Sequence, residues 1–125
     1  MTDHDHDDHR SQRPAPVDAR PDLVRVRGEL DLDTGRAAEL DAALRRAVAD
    51  PDNPTEITVD VSELTFCDST GLNILLHAQL AALSHGRTLR LEAPNPQLVR
   101  LLRRTGALPL FTLAPRRPPD PPRLT

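Results

Sequence analysis

Two hydroxyl side chains, Ser69 and Thr70, lie between a carboxylate and a glycine in the segment FCDSTGLN at residues 66–73. Asp, Ser and Thr are preferred at helix starts, and Gly71 permits a tight entry into the helix. A hydroxyl at this position can also receive a phosphoryl group, because the positive end of a helix dipole accommodates a phosphate. The segment therefore predicts a helix start, and it leaves open whether Ser69 also undergoes chemistry.

A nucleophilic role for Ser69 requires a general base within hydrogen-bond reach of its hydroxyl. His77 follows two helical turns later, which is more than ~10 Å along a helix axis, and His85 is farther still. No G-x-S-x-G motif surrounds the serine. All 16 basic residues are arginine, which excludes mechanisms that need a catalytic lysine. We therefore expect that this chain is not an enzyme.

The segment DLDTG at residues 31–35 superficially resembles two catalytic motifs. Aspartic proteases with Asp-Thr-Gly need two such motifs or a homodimer and an all-β fold, and Asp-x-Asp phosphatases need a lysine. Neither requirement is met, so Asp33 or Thr34 is expected to cap the helix that follows. Asp31 remains of interest because it can face the loop that contains Ser69.

Two further features have weaker chemical interpretations. HDHDDH at residues 4–9 could bind a divalent transition metal weakly, but an unstructured tail does not fix ligand geometry, so no functional metal site is expected. The single cysteine, Cys67, excludes an intrachain disulfide and suits a reducing cytosol. Because it follows Phe66 at a strand end, Cys67 is expected to be buried rather than reactive.

The composition limits the class of protein. A chain of 125 residues suits one compact domain, and a net charge of −3 argues against a general nucleic-acid binder. No apolar run approaches the ~18 residues of a membrane span. We predict disordered tails at residues 1–21 and 114–125, which are polar or rich in proline, around one domain at residues 22–113.

Strand and helix periods alternate between the predicted tails. LVRVRGELD at 23–31, EITVDV at 56–61 and the stretch around Leu89 and Leu91 alternate as strands do, and LPLFTL at 108–113 could be an edge strand. Three helices lie between them, with inward-facing positions Ala37, Leu40, Leu44, Ala47 and Val48, then Leu72, Leu75, Leu76, Leu80 and Leu83, then Leu98, Leu101 and Leu102. Asn95 is expected as an N-cap, and Gly86 and Gly106 are expected as helix stops.

Alternating strands and helices predict an α/β sandwich with a mainly parallel sheet. Sites in such sheets gather where strands end and helices begin. The loops at 29–35 and 67–71 each follow the carboxyl end of a strand. We therefore expect these two loops to be neighbours in space.

Together, these segments resemble a STAS domain of the stand-alone anti-sigma factor antagonist type. The resemblance rests on GELD at 28–31, ITVDVSELTFCDSTGLNILL at 57–76, LRLEAPNPQLVRLLRRTG at 89–106 and a closing Leu-Phe pattern, and covers about residues 22–113. It implies a mixed, mostly parallel sheet of four to five strands with helices packed against it. Family members usually have an apolar first strand, but PAPVDAR at 14–20 offers only Val17, so this strand could be short or missing.

The resemblance also implies a partner-switching function. The unphosphorylated antagonist binds an anti-sigma factor, itself an ATP-dependent serine kinase, and so releases the sigma factor for transcription. The kinase would phosphorylate Ser69, a phosphatase would reverse this, and Asp31, Asp68, Thr70 and Gly71 would form the partner-binding loop. ATP would be bound by the kinase, and this chain would need no cofactor, would be cytoplasmic and would be monomeric when free.

A second interpretation keeps the same family but not the phosphorylation. In it the chain is a STAS docking subunit of an ABC complex for transport or lipid trafficking. Stable association with an ATPase subunit and an unmodified Ser69 would distinguish this alternative.

Overall fold

A computed structural model describes residues 17–20, 22–31 and 35–116. The Asp/His-rich segment at 4–9, most of the two predicted tails, and Asp33 and Thr34 lie outside the described residues. The strands are β1 (Val17–Arg20), β2 (Leu23–Leu30), β3 (Glu56–Cys67), β4 (Thr88–Glu92) and β5 (Thr112–Ala114). The helices are α1 (Arg36–Ala49), α2 (Ser69–Ser84) and α3 (Pro96–Arg104), with a short 3-10 helix at Leu108–Leu110.

The five strands form one sheet in the order β1-β2-β3-β4-β5. β1 pairs antiparallel with β2, whereas β2, β3, β4 and β5 are parallel. Each parallel neighbour is reached through a helix, as parallel connections require. The prediction of a mixed, mostly parallel sheet with packed helices is confirmed.

The predicted N-terminal boundary of the domain is wrong. Residues 17–20, which the sequence analysis assigns to a tail, form β1, with Val17 opposite Val26 and Arg20 opposite Leu23. Val17 also packs against the core. A short segment of low strand propensity becomes a strand here because β2 offers an edge that pairs with it. At the other end, β5 includes Ala114, one residue beyond the predicted domain limit.

Strand β3 is longer than predicted. The sequence suggests a strand at 56–61 and then a connection, but β3 continues to Cys67 and buries Leu64 on the way. β4 pairs with β3 only as far as Asp60, whereas β2 follows β3 to the pair Leu30 and Cys67. The last part of β3 therefore has a strand neighbour on one side only.

The apolar core fills the helix-covered face of the sheet. Val24 and Val26 of β2, Ile57, Val59 and Val61 of β3, and Leu89 and Leu91 of β4 are buried there. All of the inward positions predicted for α1 are buried or packed against the core. In α2, however, Leu80 and Leu83 are 51% and 48% exposed, so their predicted inward orientation is wrong. Gln79 and Ala82 occupy the buried positions instead.

The opposite face of the sheet carries charged pairs. Side chains alternate between faces along a strand, so the residues between the buried valines point away from the helices. The cross-strand ion pairs are Arg25–Asp60 at 2.8 Å, Arg27–Glu63 at 3.3 Å and Arg90–Glu56 at 3.5 Å. The Asp60 side chain is 8% exposed, which makes Arg25–Asp60 the most buried of the three.

The helix ends follow the predicted signals with one exception. Asn95 caps α3 by accepting from the Leu98 amide at 2.8 Å, and Gly86 and Gly106 have φ values of 72° and 78° after their helices. The N-cap of α1 is Gly35 rather than the predicted Asp33 or Thr34. None of the helices in the described part of the chain combines the length and the apolar character of a membrane span.

Candidate functional site

The candidate site lies where β2 and β3 end side by side. Leu30 and Cys67 are the last paired residues, and the Asp68 amide donates to the Leu30 carbonyl at 3.2 Å. Asp31 follows Leu30 directly and is half-buried. The predicted proximity of the two loops is therefore confirmed for the residues that the structure describes, which include Asp31 but not 32–34.

Asp68 is the residue that caps helix α2. Its Oδ1 accepts from the amides of Thr70 at 2.9 Å and Gly71 at 3.2 Å, and its backbone carbonyl accepts from Leu72 at 2.9 Å. The Thr70 and Gly71 amides are therefore already bonded to a carboxylate and are not free to bind a phosphate. A phosphate on Ser69 would thus meet negative charge at the helix start.

Ser69 is the first residue of α2 and is exposed. Its position outside the cap interaction follows from geometry, because an N-cap side chain reaches the amides two and three residues later. Asp68 therefore holds the backbone while the Ser69 hydroxyl faces solvent. His77 lies two turns farther along the same helix, about 12 Å along its axis, and is also exposed.

Gly71 allows the start of α2 to approach the sheet closely. A Cβ at this position would lie 2.7 Å from the backbone oxygen and from Cγ of Leu30, and 2.9 Å from Sγ of Cys67. Real Cβ atoms do not make contacts this short with a backbone oxygen. Gly71 thus brings the cap and Ser69 against the ends of β2 and β3, a more specific role than the tight entry that the sequence suggested.

Cys67 lies directly before the cap and is fully buried. Burial, with a smaller contribution from the Asp68 charge, raises the pKa of the Cys67 thiol to about 12. The thiol therefore stays protonated near neutral pH, and a thiol is a poor nucleophile. The prediction that Cys67 is buried is confirmed.

Two polar side chains at the start of α3 hold the end of β3, and sequence reasoning missed this role for both. The Asn95 Nδ2 donates to the Leu64 carbonyl at 2.8 Å. The Gln97 Nε2 donates to the Cys67 carbonyl at 2.7 Å, and its Oε1 accepts from the Cys67 amide at 3.0 Å. The only sequence signal is a glutamine two residues after the predicted N-cap, Asn95.

Comparison with known proteins establishes the family. A family model described as "Mlab, STAS domain" matches residues 17–109, which include all of β1 and the whole candidate site. The chain belongs to the STAS domain family. Its match begins at Val17, in agreement with the corrected start of the domain.

Solved STAS structures of two kinds are similar to this chain. An anti-sigma factor antagonist from Mycobacterium paratuberculosis is 29% identical, with a TM-score of 0.62 over 78% of this chain and 81% of that one. A sulfate transporter family protein from Wolinella succinogenes is 19% identical, with a TM-score of 0.63 over 83% of this chain and 82% of that one. At that identity the second likeness shows the fold alone.

The anti-sigma factor antagonist SpoIIAA is similar in both of its solved forms. The unphosphorylated form is 23% identical, with a TM-score of 0.61 over 74% of this chain and 77% of that one. The phosphorylated form, from Bacillus, is 21% identical, with a TM-score of 0.60 over 78% of this chain and 88% of that one. These likenesses again show the STAS fold and not a shared activity.

Proposed function

We propose that this STAS domain is an anti-sigma factor antagonist that is switched by phosphorylation of Ser69. Unphosphorylated, it binds an anti-sigma factor that is also a serine kinase, and the sigma factor is released for transcription. Phosphorylated, it no longer holds the kinase until a serine phosphatase restores the hydroxyl. In this proposal the protein acts in the cytoplasm, is monomeric when free, and binds neither nucleic acid nor a cofactor of its own.

The observation that carries the proposal is the exposed Ser69 hydroxyl on a backbone held by its neighbours. Asp68 caps the helix, Gly71 lets it contact the sheet, and Thr70 donates its amide to the cap. A kinase active site can reach a hydroxyl at such an exposed helix start without unfolding the helix. Phe66, which is 41% exposed on the adjoining strand, adds an apolar side chain that a docked partner could cover.

The proposed modification is a phosphoryl transfer in which the partner provides ATP and the base. The Ser69 Oγ attacks the γ-phosphorus of ATP, and the bond from that phosphorus to the bridging oxygen breaks as ADP leaves. The hydroxyl proton passes to a base of the kinase. The product carries nearly two negative charges beside Asp68 and close to Asp31. This local accumulation of negative charge is the proposed reason that the complex separates.

Phosphate mapping after incubation with the cognate kinase and ATP tests the proposal. We expect one phosphate, on Ser69, in the wild type and none in Ser69→Ala. Ser84→Ala is the matched control, because it removes an exposed hydroxyl at the other end of the same helix and leaves Ser69 in place; it should be phosphorylated as the wild type is. Phosphate on Thr70, or continued labelling of Ser69→Ala, would contradict the site assignment.

A second function is motivated by the comparisons themselves. The matching family model is described as "Mlab, STAS domain", and one similar structure is a sulfate transporter family protein. The chain would then be a docking subunit of an ABC complex for transport or lipid trafficking, with Ser69 unmodified. A pull-down from the native cell, read by mass spectrometry with and without phosphatase treatment, separates the two functions. An ATPase subunit retained regardless of treatment would favour the second.

A further inference from the structure

The end of β3 extends past its neighbour on one side. β4 pairs with β3 only from Glu56 to Asp60, and β3 continues to Cys67. On its other side β2 follows it to the end. The backbone groups of β3 that face the β4 side beyond Asp60 therefore need other hydrogen-bond partners, since unpaired backbone groups in a folded interior are costly.

Gln97 supplies both bonds that a paired strand residue would make to Cys67. Its side-chain amide donates to the Cys67 carbonyl at 2.7 Å and accepts from the Cys67 amide at 3.0 Å. These are good hydrogen-bond distances, and a primary amide is the side chain that offers a donor and an acceptor together. Cys67 is thus held by β2 on one side and by Gln97 on the other.

We propose that Gln97 is a positioning residue for Ser69. It fixes the backbone of Cys67, the last residue of β3, so that Asp68 and Ser69 adopt one backbone conformation. In that conformation the Ser69 hydroxyl is presented to the partner. The part of this inference that concerns the kinase rests on the proposed function, whereas the ordering of the backbone at Cys67 does not. Gln97 does not touch the Ser69 hydroxyl in the described bonds; it acts through the backbone of Cys67.

Two substitutions separate the hydrogen bonds from the bulk of the side chain. Gln97→Met keeps an unbranched side chain of similar length and removes the donor and the acceptor. Gln97→Glu keeps an acceptor for the Cys67 amide and loses the donor to the Cys67 carbonyl. The second carboxylate oxygen of Gln97→Glu would face the Cys67 carbonyl oxygen and repel it, so we expect both variants to loosen the loop.

The chain offers a matched control in a second bridging glutamine. The Gln79 Nε2 donates to the Leu110 carbonyl at 2.6 Å, and its Oε1 accepts from the Leu89 amide at 2.8 Å. Gln79→Met removes the same two kinds of bond, but between α2, β4 and the 3-10 helix rather than at the end of β3. It should lower global stability without loosening the backbone at Cys67.

The first readout is the rate at which a thiol reagent labels Cys67. Cys67 is the only cysteine of the chain, and it is buried, so labelling requires the loop or the whole domain to open. We expect Gln97→Met to label about tenfold faster in native buffer, the size expected when two hydrogen bonds are lost. Local opening depends little on urea, so this labelling rate should change little at low urea concentrations.

The labelling rate of Cys67 in Gln79→Met is the control for the first readout. In this variant labelling should need global unfolding and should rise steeply with urea. If Gln97→Met labels at the wild-type rate, or only through global unfolding as Gln79→Met does, Gln97 does not order the loop and the inference is overturned.

The second readout is phosphorylation of Ser69 by the cognate kinase. Gln97→Met and Gln97→Glu should each lower kcat/KM about tenfold, because a small displacement of the Ser69 hydroxyl from its reactive position slows the transfer. Gln79→Met should be close to wild type. An unchanged kcat/KM with faster labelling would reduce Gln97 to a purely structural role. If the wild type itself is not phosphorylated, the proposed function fails, and the labelling result alone supports or overturns the ordering of the loop.

Discussion

At the scale of single residues, two adjacent side chains of the site have different roles: Asp68 caps the helix, and Ser69 is available to a partner. The Asp68 carboxylate is occupied by the amides of Thr70 and Gly71, and the Ser69 hydroxyl is exposed. A serine that served as the cap would turn its oxygen towards the helix and away from a partner. The aspartate therefore makes the exposed serine possible.

Replacement of the cap tests this separation. Asp68→Ala leaves two amides without their acceptor, and we expect the free energy of unfolding to fall by about 1 kcal/mol. Asp68→Asn is the matched variant, because an asparagine oxygen caps a helix about as well and only the charge is lost. Chemical denaturation measures both. Equal losses in the two variants would show that charge, and not capping, is what Asp68 contributes to stability.

At the scale of elements, the start of α2 packs directly against the end of β2. The hydrogen at Gly71 faces the Leu30 carbonyl where any Cβ would be too close. The contact aligns the helix with both strand ends and so determines where Ser69 lies. The energetic cost of moving these elements apart can be measured by adding one methyl group.

Gly71→Ala adds that methyl group. Alanine is favoured over glycine within a helix by about 1 kcal/mol, but the clash with a backbone oxygen cannot be relieved by a side-chain rotation. We expect a net loss of about 1 to 3 kcal/mol in the free energy of unfolding, measured by urea denaturation. Asn73→Ala, at an exposed position of the same helix, is the control and should be neutral or slightly stabilising. A Gly71→Ala variant as stable as the wild type would show that α2 is free to shift.

Local patterns predicted some elements well and others poorly. Ser69, Asp68 and Gly71 were found from sequence because a helix start is encoded within a few neighbouring residues. Leu80 and Leu83 were misassigned because the leucines of α2 cover too wide an arc to identify the buried face. The buried face includes Gln79, whose hydrogen-bond partners lie 10 and 31 residues away along the chain.

Contacts between residues far apart in the chain also explain why sequence patterns did not predict β1 or the role of Gln97. β1 forms because β2 pairs with it, and a segment with one strong strand former does not reveal that partner. Gln97 bonds to a residue 30 positions earlier, and a helix-start signal contains no information about it. The sequence thus predicted the order of elements and the helix start at residues 68–71, whereas contacts between distant segments had to come from the structure.

At the scale of the whole molecule, the sheet has one apolar face and one charged face. On the charged face, burial alone would raise the pKa of Asp60, but hydrogen bonds from Ser62 and the Arg25 guanidinium hold it below its ordinary value. Asp60 accepts from the Ser62 amide at 2.9 Å and from the Arg25 Nε at 2.8 Å. This ion pair joins β2 and β3, the two strands whose ends form the candidate site.

The depressed pKa predicts how acid affects the domain. A carboxylate with a lower pKa in the folded state stabilises it above the unfolded pKa of about 3.9, and that contribution is lost as the pH falls through the folded value. Asp60→Asn should therefore be less stable than the wild type at neutral pH, with the difference shrinking below about pH 4. Urea denaturation across this range measures it. Asp52→Asn, in an exposed turn, is the control, and a pH-independent difference for Asp60→Asn would contradict the linkage.

In the proposed function, negative charge on Ser69 separates this STAS domain from an anti-sigma factor that is a serine kinase. The most direct measurement is the affinity of the cognate anti-sigma factor for the wild type, Ser69→Asp and Ser69→Asn, by isothermal titration calorimetry. Ser69→Asn has nearly the same shape as Ser69→Asp without its charge. We expect Ser69→Asp to weaken binding by at least about tenfold, a loss of roughly 1.4 kcal/mol, and Ser69→Asn to bind nearly as the wild type does. Equal affinities for Ser69→Asp and Ser69→Asn would contradict this expectation.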